Sequence, residues 1–314
     1  MSSTRREFLT QVAGATLFGF AAASCKSAAS STSGKAFYEL SLAEWSFHKA
    51  LFSKQMSNLD FPVVAKQKYG ISVVEYVNQF FMDKAKDTAY LDELMKRCRD
   101  NGVKNHLIMC DGEGNLGDPD ARKRNQAVEN HYKWVDAAKR LECITIRVNA
   151  FGEGPGEEVQ KAAIDSIGRL AEYAGKENMN VIIENHGGYT SNGQWLAAVV
   201  KGTARPNVGL LPDFDNFCIA REGGKQWEGK CINEYDKYKG VSEMMPFAKG
   251  VSAKTKDFDD KGNCIETDYK RMIRIVKDSG FHGYIGIEYE GEKLSEDEGI
   301  RKTKELMDRV SSQL

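Results

Sequence analysis

The sequence has few histidines, and its cysteines follow no metal-binding pattern. Only 5 of its 314 residues are His, which limits any cluster of several histidine-bound metals. Its 7 cysteines contain no CxxC motif and no other tight metal spacing. These shortages argue against a Cys-rich zinc domain and against a site built from several imidazole-bound zinc ions.

The chain also lacks an excess of charge of either sign. Its formal net charge is −1, so no basic field favours nucleic acid or acidic lipid as a partner. No GxGxxG motif follows the first predicted strand, which weakens a dinucleotide-binding interpretation. No Pro/Gly/Ser-rich break divides residues 36–314, so we expect one domain there.

The N-terminus is typical of an export signal rather than of a folded element. The twin-arginine sequence TRREFL (residues 4–9) precedes a mostly apolar run over 12–23, and we predict a signal over 1–24. Cys25 follows Ala-Ala-Ser, like the lipidated cysteine of a bacterial lipoprotein; the alternative is an ordinary cleavage site beside a chance cysteine. A Ser/Ala-rich tether over 25–35 would then join the barrel to the membrane. We expect export by the twin-arginine route to the periplasm, with membrane contact only through this anchor.

The remaining cysteines show no clear pairing pattern. Cys110 and Cys143 lie in apolar, strand-like runs, so we expect them to be small core side chains. An exported protein could pair some of the others. The sequence does not indicate an oligomeric state.

After the tether, predicted strands and helices alternate about eight times. The strands are expected over 37–45, 71–77, 104–110, 143–149, 180–185, 208–213, 250–254 and 284–289. The helices are expected over 61–69, 88–101, 121–141, 157–178, 193–201, 234–245, 268–279 and 296–311. This rhythm predicts an α/β fold, a (β/α)₈ TIM barrel, with a doubly wound open sheet as the alternative. The longest irregular stretch, 214–233, is expected to cover the site.

Polar residues collect where these strands end, and in a TIM barrel those ends form the active site. The candidates, strand by strand, are Glu44, Trp45 and His48; Glu75 and Asn78; His106 and Asp111; Arg147 and Asn149; Glu184 and His186; Asp213, Asp215 and Asn216; Ser252, Lys254 and Lys256; Glu288 and Glu290.

Glu184, Asp213 and Glu288 stand at equivalent points on three strands. Three carboxylates at one barrel mouth would repel each other unless a cation neutralised them or some stayed protonated. Oxygen ligands suit Mn²⁺ or Mg²⁺, and an added imidazole would admit Zn²⁺ or Co²⁺. Alternatively, the carboxylates pair with Arg147, Lys254 or Lys256, because structural ion pairs imitate functional sites.

Four strand ends, IIENHGG, GLLPDFDNF, GVSAKTKDF and YIGIEYEG, resemble those of the xylose-isomerase-like barrel superfamily, and its sugar phosphate isomerase/epimerase branch in particular. The resemblance implies a divalent metal at the barrel mouth, held at the positions of Glu184, Asp213, Ser252 and Glu288. Ser252 stands where the family has His in a His-x-Lys pattern, and Asn216 stands where it often has another His. His186 or a water would fill the gap, which gives Glu184, Asp213, Glu288 and His186 as predicted ligands.

The resemblance implies proton transfer on a sugar. Glu184 and Glu288 would serve as base and acid on opposite faces, and without a metal Lys254 and His186 would polarise the carbonyl. The predicted function is a sugar isomerase or epimerase acting on a small-molecule carbohydrate, a free sugar or keto-sugar. The alternatives are a lyase or hydrolase on oxidised glycosides and a non-catalytic, lipid-anchored sugar-binding protein. An endonuclease of the same superfamily is disfavoured by the scarcity of histidine and of positive charge.

Overall fold

Eight short apolar strands form one parallel sheet in the computed structural model, which describes residues 37–314. The predicted signal and tether lie outside these described residues. The eight strands are β1 (Glu39–Ala43), β2 (Val73–Val77), β3 (Lys104–Met109), β4 (Thr145–Val148), β5 (Asn180–Glu184), β6 (Val208–Leu211), β9 (Val251–Thr255) and β10 (Tyr284–Tyr289). Two more strands, β7 (Cys218–Arg221) and β8 (Cys231–Glu234), pair as a separate antiparallel hairpin.

The sheet closes on itself. Its strand order is β6-β5-β4-β3-β2-β1-β10-β9, so β6 and β9 are the two ends. Parallel bridges join these ends at Leu210 with Ala248 and at Asp213 with Ser252. The Ser252 amide donates to the Pro212 carbonyl at 2.9 Å across the same seam. The predicted (β/α)₈ barrel is therefore confirmed, and the open-sheet alternative is wrong.

Helices cover the outside of the barrel. They are α1 (His48–Phe52), α2 (Phe61–Tyr69), α3 (Thr88–Asn101), α4 (Ala121–Arg140), α5 (Gly156–Gly175), α6 (Gly193–Thr203), α7 (Lys237–Met244), α8 (Tyr269–Asp278) and α9 (Glu296–Ser311). Most begin at an Asp, Asn or Ser whose side chain accepts a backbone N–H; Asp120, for example, accepts from Arg122 and Lys123. Among the described helices, none has both the length and the apolar character needed to cross a membrane.

The apolar core has two layers, which explains why most of the strands are buried on both faces. The larger layer lies between the strands and the helices, and Cys110 and Cys143 are buried in it, as predicted. The smaller layer fills the barrel interior with Ala43, Val77, Leu107, Met109, Ile182 and Leu211. Side chains above this inner layer are presented at the C-terminal ends of the strands.

The stretch predicted to be irregular, 214–233, contains β7 and most of β8. A disulfide between Cys218 and Cys231 joins the two strands of this hairpin. The helix predicted from residue 234 begins at Lys237 instead, because Glu234 pairs with Cys218 in the hairpin and Asp236 caps the helix. The two strands are too short, and too polar at β8, for sequence periodicity to indicate them.

Two buried titratable groups lie inside the barrel and lack part of their hydrogen bonding. His106, predicted for the mouth, instead packs its ring 4.6 Å from that of Tyr284, and neither of its nitrogens has a hydrogen-bond partner. Glu75 accepts a 2.6 Å hydrogen bond from the Ser41 hydroxyl, while its Oε2 has no partner. Burial lowers the pKa of His106 to about 4 and raises the pKa of Glu75 to about 8, so both groups are neutral at pH 7.

Replacing Glu75 by Gln should remove a pH dependence of stability. The pKa of Glu75 is raised to about 8 in the folded protein from 4.5, so its contribution is fully present below about pH 4.5 and is lost as pH rises to about 8. The unfolding free energy of wild type, relative to Glu75→Gln, should fall across this window by up to roughly 4–5 kcal/mol. Urea denaturation at pH 5, 6.5 and 8 measures this difference; a constant difference would contradict the assignment.

Candidate active site

A cavity of about 500 Å³ opens at the C-terminal ends of the barrel strands. This volume suits a small organic ligand. Of the residues predicted from the sequence, Glu184, His186, Lys254 and Glu288 all line it. Asp213 is fully buried and lies behind this lining.

Glu184, at the end of β5, is held by one ion pair and one hydrogen bond. Its Oε2 lies 2.9 Å from Nε of Arg147, and its Oε1 accepts a 3.1 Å hydrogen bond from the side-chain amide of Asn216. Burial raises the pKa of Glu184 to about 7, although Arg147 opposes the shift. A carboxyl with this pKa exchanges a proton readily near neutral pH.

Glu288, on β10, lines the same cavity as Glu184. Its Oε1 is 2.9 Å from Nζ of Lys254, the residue paired with it in the neighbouring strand β9. Burial raises the pKa of Glu288 to about 8; Lys254 opposes the shift, and Glu290 and Glu184 add to it. The cavity therefore holds two carboxyl groups that titrate near neutrality.

Lys254 is buried among oxygen atoms. Besides Glu288, its Nζ lies 3.2 Å from Glu290 Oε1, 3.3 Å from Asn216 Oδ1 and 3.9 Å from Asp213 Oδ2. Burial alone would lower the pKa of Lys254, but the surrounding carboxylates outweigh it and hold this pKa well above the ordinary value. The ammonium is therefore charged throughout the physiological range.

Both carboxylate oxygens of Asp213 are occupied by donors. Its Oδ1 accepts 2.9 Å hydrogen bonds from the backbone amides of Asp215 and Asn216. Its Oδ2 accepts a 2.6 Å hydrogen bond from the hydroxyl of Ser252. In this arrangement Asp213 fixes the loop after β6 and holds the barrel seam.

His186 is fixed by a chain of hydrogen bonds. Its Nδ1 lies 2.9 Å from Oδ1 of Asn149, whose amide donates to Asp111 at 2.6 Å; Asp111 in turn pairs with Arg147 at 2.7 Å. Because the Asn149 amide nitrogen donates to a carboxylate, its oxygen accepts, and Nδ1 of His186 carries the proton. Burial and the nearby Arg147 lower the pKa of His186 to about 3, so the ring is neutral.

Aromatic rings form one wall around His186. The His186 ring lies 4.6 Å from that of Trp227, and Phe151 is 5.8 Å from His186 and 6.0 Å from Trp227. Trp227 belongs to the loop of the β7–β8 hairpin, whose two strands are linked by Cys218–Cys231, and it is 51% exposed. The hairpin therefore contributes an accessible apolar ring to the rim of the cavity.

The predicted metal ligands are not arranged as a ligand set. Within residues 37–314, no group of three or more His, Cys, Asp or Glu side chains could hold a metal ion. Asp213 has both oxygens occupied, and the ammonium of Lys254 stands beside Glu288 where a shared cation would lie. These residues do not fit a divalent ion in the arrangement implied by the family resemblance.

Some residues of the site carry no recognisable sequence signal for their part in it. Phe151 follows β4 in a Gly-rich loop and forms part of the aromatic wall, and Arg221 enters the lining from the hairpin. Asn149 and Asp111 were candidates by position, but their connection to His186 depends on the register of β3 against β4. An aromatic or polar residue just past a strand end is the only signal that could have indicated them.

The closed parallel barrel with its site at the C-terminal mouth defines the class of this protein. The family described as xylose isomerase-like TIM barrel matches residues 64–310. The chain therefore belongs to this family, and the predicted superfamily is confirmed. A comparison with curated proteins finds no match.

Solved structures with this fold are similar over most of the chain. An IolI protein with a bound zinc atom matches with a TM-score of 0.67 at 16% identity, covering 88% of this chain and 98% of that one. D-psicose 3-epimerase with D-fructose matches with 0.63 at 13% identity, covering 87% and 99%. A 3-keto-D-glucoside 4-epimerase from E. coli matches with 0.59 at 13% identity, covering 87% and 100%. At these identities the likeness establishes the fold.

Reducing the hairpin disulfide should expose Trp227. Without Cys218–Cys231 the two hairpin strands are no longer covalently linked, and Trp227 should spend more time away from the His186 ring. Acrylamide quenching of tryptophan fluorescence should then increase after treatment with a phosphine reductant. The variant Trp227→Phe is the control and should show no such increase; equal quenching of reduced and oxidised wild type would contradict the prediction.

Proposed function

We propose that this protein is a sugar-modifying enzyme that moves a proton at a carbon beside a carbonyl, as in isomerisation or epimerisation. One observation carries the proposal: Glu184 and Glu288 line one cavity, and burial raises the pKa of each to near neutrality. General acid–base catalysis is most efficient when the pKa of the group lies near the working pH.

The two carboxyl groups act as a base and an acid. We assign the base to Glu184 and the acid to Glu288; burial raises the pKa of both, so that near neutral pH one can be ionised while the other holds its proton. When the C–H bond breaks, its proton goes to Glu184 and its electron pair forms a C=C bond. The carbonyl π pair moves to oxygen. When Glu288 then donates its proton to carbon, the C=C pair forms the new C–H bond and the oxygen pair restores the carbonyl.

The walls of the cavity suit a carbohydrate. Trp227, Phe151 and Trp45 offer ring faces and edges to the apolar side of a sugar, and Asn216 and Lys256 offer polar groups to its hydroxyls. D-Psicose 3-epimerase, which has the same fold, was solved with D-fructose. We therefore propose a free sugar or keto-sugar as the substrate class.

A second candidate reaction is elimination or hydrolysis on an oxidised glycoside. The similarity to a 3-keto-D-glucoside 4-epimerase favours a substrate with a keto group in the ring. Abstraction of the proton beside that keto group is the first step of either reaction. Loss of the glycosidic oxygen after this step would make the protein a lyase rather than an epimerase.

A third candidate is a sugar-binding protein without catalysis. It is suggested by Ser252 and Asn216, which depart from the family pattern at two positions where an imidazole is expected. The near-neutral pKa values of Glu184 and Glu288 favour the enzyme, since a binding site has no need of carboxyl groups that titrate near pH 7.

Substrate carbon-bound hydrogen should exchange with deuterated solvent, and Glu184→Gln or Glu288→Gln should slow this exchange by roughly 10²–10⁴-fold. NMR of a panel of ketoses and 3-keto-glucosides measures it. The rate should rise with pH through about 7 as Glu184 ionises and fall through about 8 as Glu288 loses its proton. Sugar binding with no hydrogen exchange at any pH would contradict the proposed enzyme activity and favour the sugar-binding protein.

We also propose that the protein is exported and anchored to a membrane by Cys25. The disulfide Cys218–Cys231 supports an oxidising compartment, since such bonds persist outside the cytoplasm. In fractionated bacterial cells, wild type should be found with the membranes and Cys25→Ser in the soluble periplasm. Arg5→Lys combined with Arg6→Lys should stay in the cytoplasm; a soluble wild type would contradict the anchor.

A further inference from the structure

We propose that the ammonium of Lys254 takes the place of the divalent metal ion, so that this protein performs its chemistry without a metal. Of the residues expected to hold the ion, Glu288 lies 2.9 Å and Asp213 3.9 Å from Nζ of Lys254. Oxygens of Glu290 and Asn216 complete the surroundings of the ammonium. The inference that no divalent ion binds here does not depend on which reaction the protein catalyses. Only the role given to the ammonium rests on the proposed function.

The spacing of the oxygens suits an ammonium group. Three of them, from Glu288, Glu290 and Asn216, lie at 2.9, 3.2 and 3.3 Å from Nζ, and an ammonium has three N–H bonds to donate. Divalent Mg²⁺ and Ca²⁺ bind oxygen at about 2.0–2.6 Å. The cluster is therefore expanded relative to a metal site, and a hydrogen-bonded cation fills its centre.

The negative charge of the cluster is already offset in part by two fixed cations. Arg147 neutralises Glu184 at 2.9 Å and Asp111 at 2.7 Å, while Lys254 lies against Glu288 and Glu290. Both cations are buried, with side chains 4% and 2% exposed. A divalent ion entering here would meet a permanent positive charge a few ångströms away, which disfavours its binding.

The two departures from the family pattern belong to the same arrangement. Ser252 donates its hydroxyl to Asp213 and so withdraws that carboxylate from the cavity. Asn216 donates to Glu184 and accepts from Lys254, so that it links the two halves of the cluster. Where an imidazole would supply a lone pair to a metal, these side chains supply donors to carboxylates and an acceptor to Lys254.

In the proposed reaction the ammonium would stabilise the charge that develops on the substrate oxygen. The contact with Asn216 is the longest of the three at 3.3 Å, so the corresponding N–H is the one most readily turned toward a substrate carbonyl. As Glu184 takes the carbon-bound proton, negative charge moves to that oxygen and is met by Lys254. The electron pair returns to carbon when Glu288 donates its proton.

Metal analysis of the full-length wild-type protein tests the proposal. Purified protein, incubated with Mn²⁺, Co²⁺ or Zn²⁺ and then desalted, should contain far less than one ion per chain by inductively coupled plasma mass spectrometry. Its melting temperature should not change with EDTA or with added Mn²⁺. One tightly held ion per chain, or a melting temperature lowered by EDTA, would overturn the proposal.

A pair of substitutions tests whether Lys254 is the reason that the protein binds no divalent ion. Ser252→His combined with Lys254→Ala restores an imidazole at the family's ligand position and removes the competing charge, so this variant should take up close to one Mn²⁺ or Co²⁺ per chain. Co²⁺ absorption then reports its coordination directly. Lys256→Ala, which removes the neighbouring lysine paired with Asp215, is the matched control and should remain metal-free.

The outcomes separate this inference from the proposed function. Absence of metal together with absence of hydrogen exchange on any sugar would sink the proposed reaction and leave the metal inference standing. Hydrogen exchange that is abolished by EDTA would overturn the metal inference and leave the proposed reaction standing. Metal uptake by Lys256→Ala as large as that of the Ser252→His/Lys254→Ala variant would show that Lys254 has no special part in excluding metal.

Discussion

The organisation of this barrel mouth depends on the neutralisation of buried acids. Parallel strands bring Glu184, Asp213 and Glu288 to one end of the barrel, out of contact with bulk water, and Glu290 lies beside them partly exposed. Such a cluster is costly unless cations or protons compensate it. Arg147 and Lys254 supply part of this compensation, and protonation of Glu184 and Glu288 near neutral pH supplies the rest.

The same constraint explains the chemistry that we propose. A carboxyl group whose pKa lies near 7 exists only because its ionised form is incompletely stabilised by its surroundings. Asp213 has hydrogen-bond donors on both carboxylate oxygens, whereas Glu184 and Glu288 have fewer, and burial leaves the pKa of each of these two glutamates raised. The uneven distribution of donors therefore separates the structural carboxylate from the reactive ones.

The sequence was sufficient for the barrel and for most of the residues at its mouth, because strand and helix periodicity and strand-end position are local properties. It identified Glu184, His186, Lys254 and Glu288, which line one cavity. It did not indicate which of two predicted cations, a metal or Lys254, would lie among the carboxylates, because this depends on side-chain distances across β9 and β10. The inward position of His106 and the hairpin with its disulfide were missed for the same reason, since each depends on register or on distant pairing.

The β7–β8 hairpin has a consequence for how this fold can change. It lies in the connection between β6 and β9, and its own disulfide links its two strands to each other rather than to the barrel. Its length and tip can therefore vary without altering the register of any of the eight barrel strands. A change in this hairpin would therefore alter the rim of the cavity around Trp227 and Arg221 while Glu184 and Glu288 keep their places on the barrel strands.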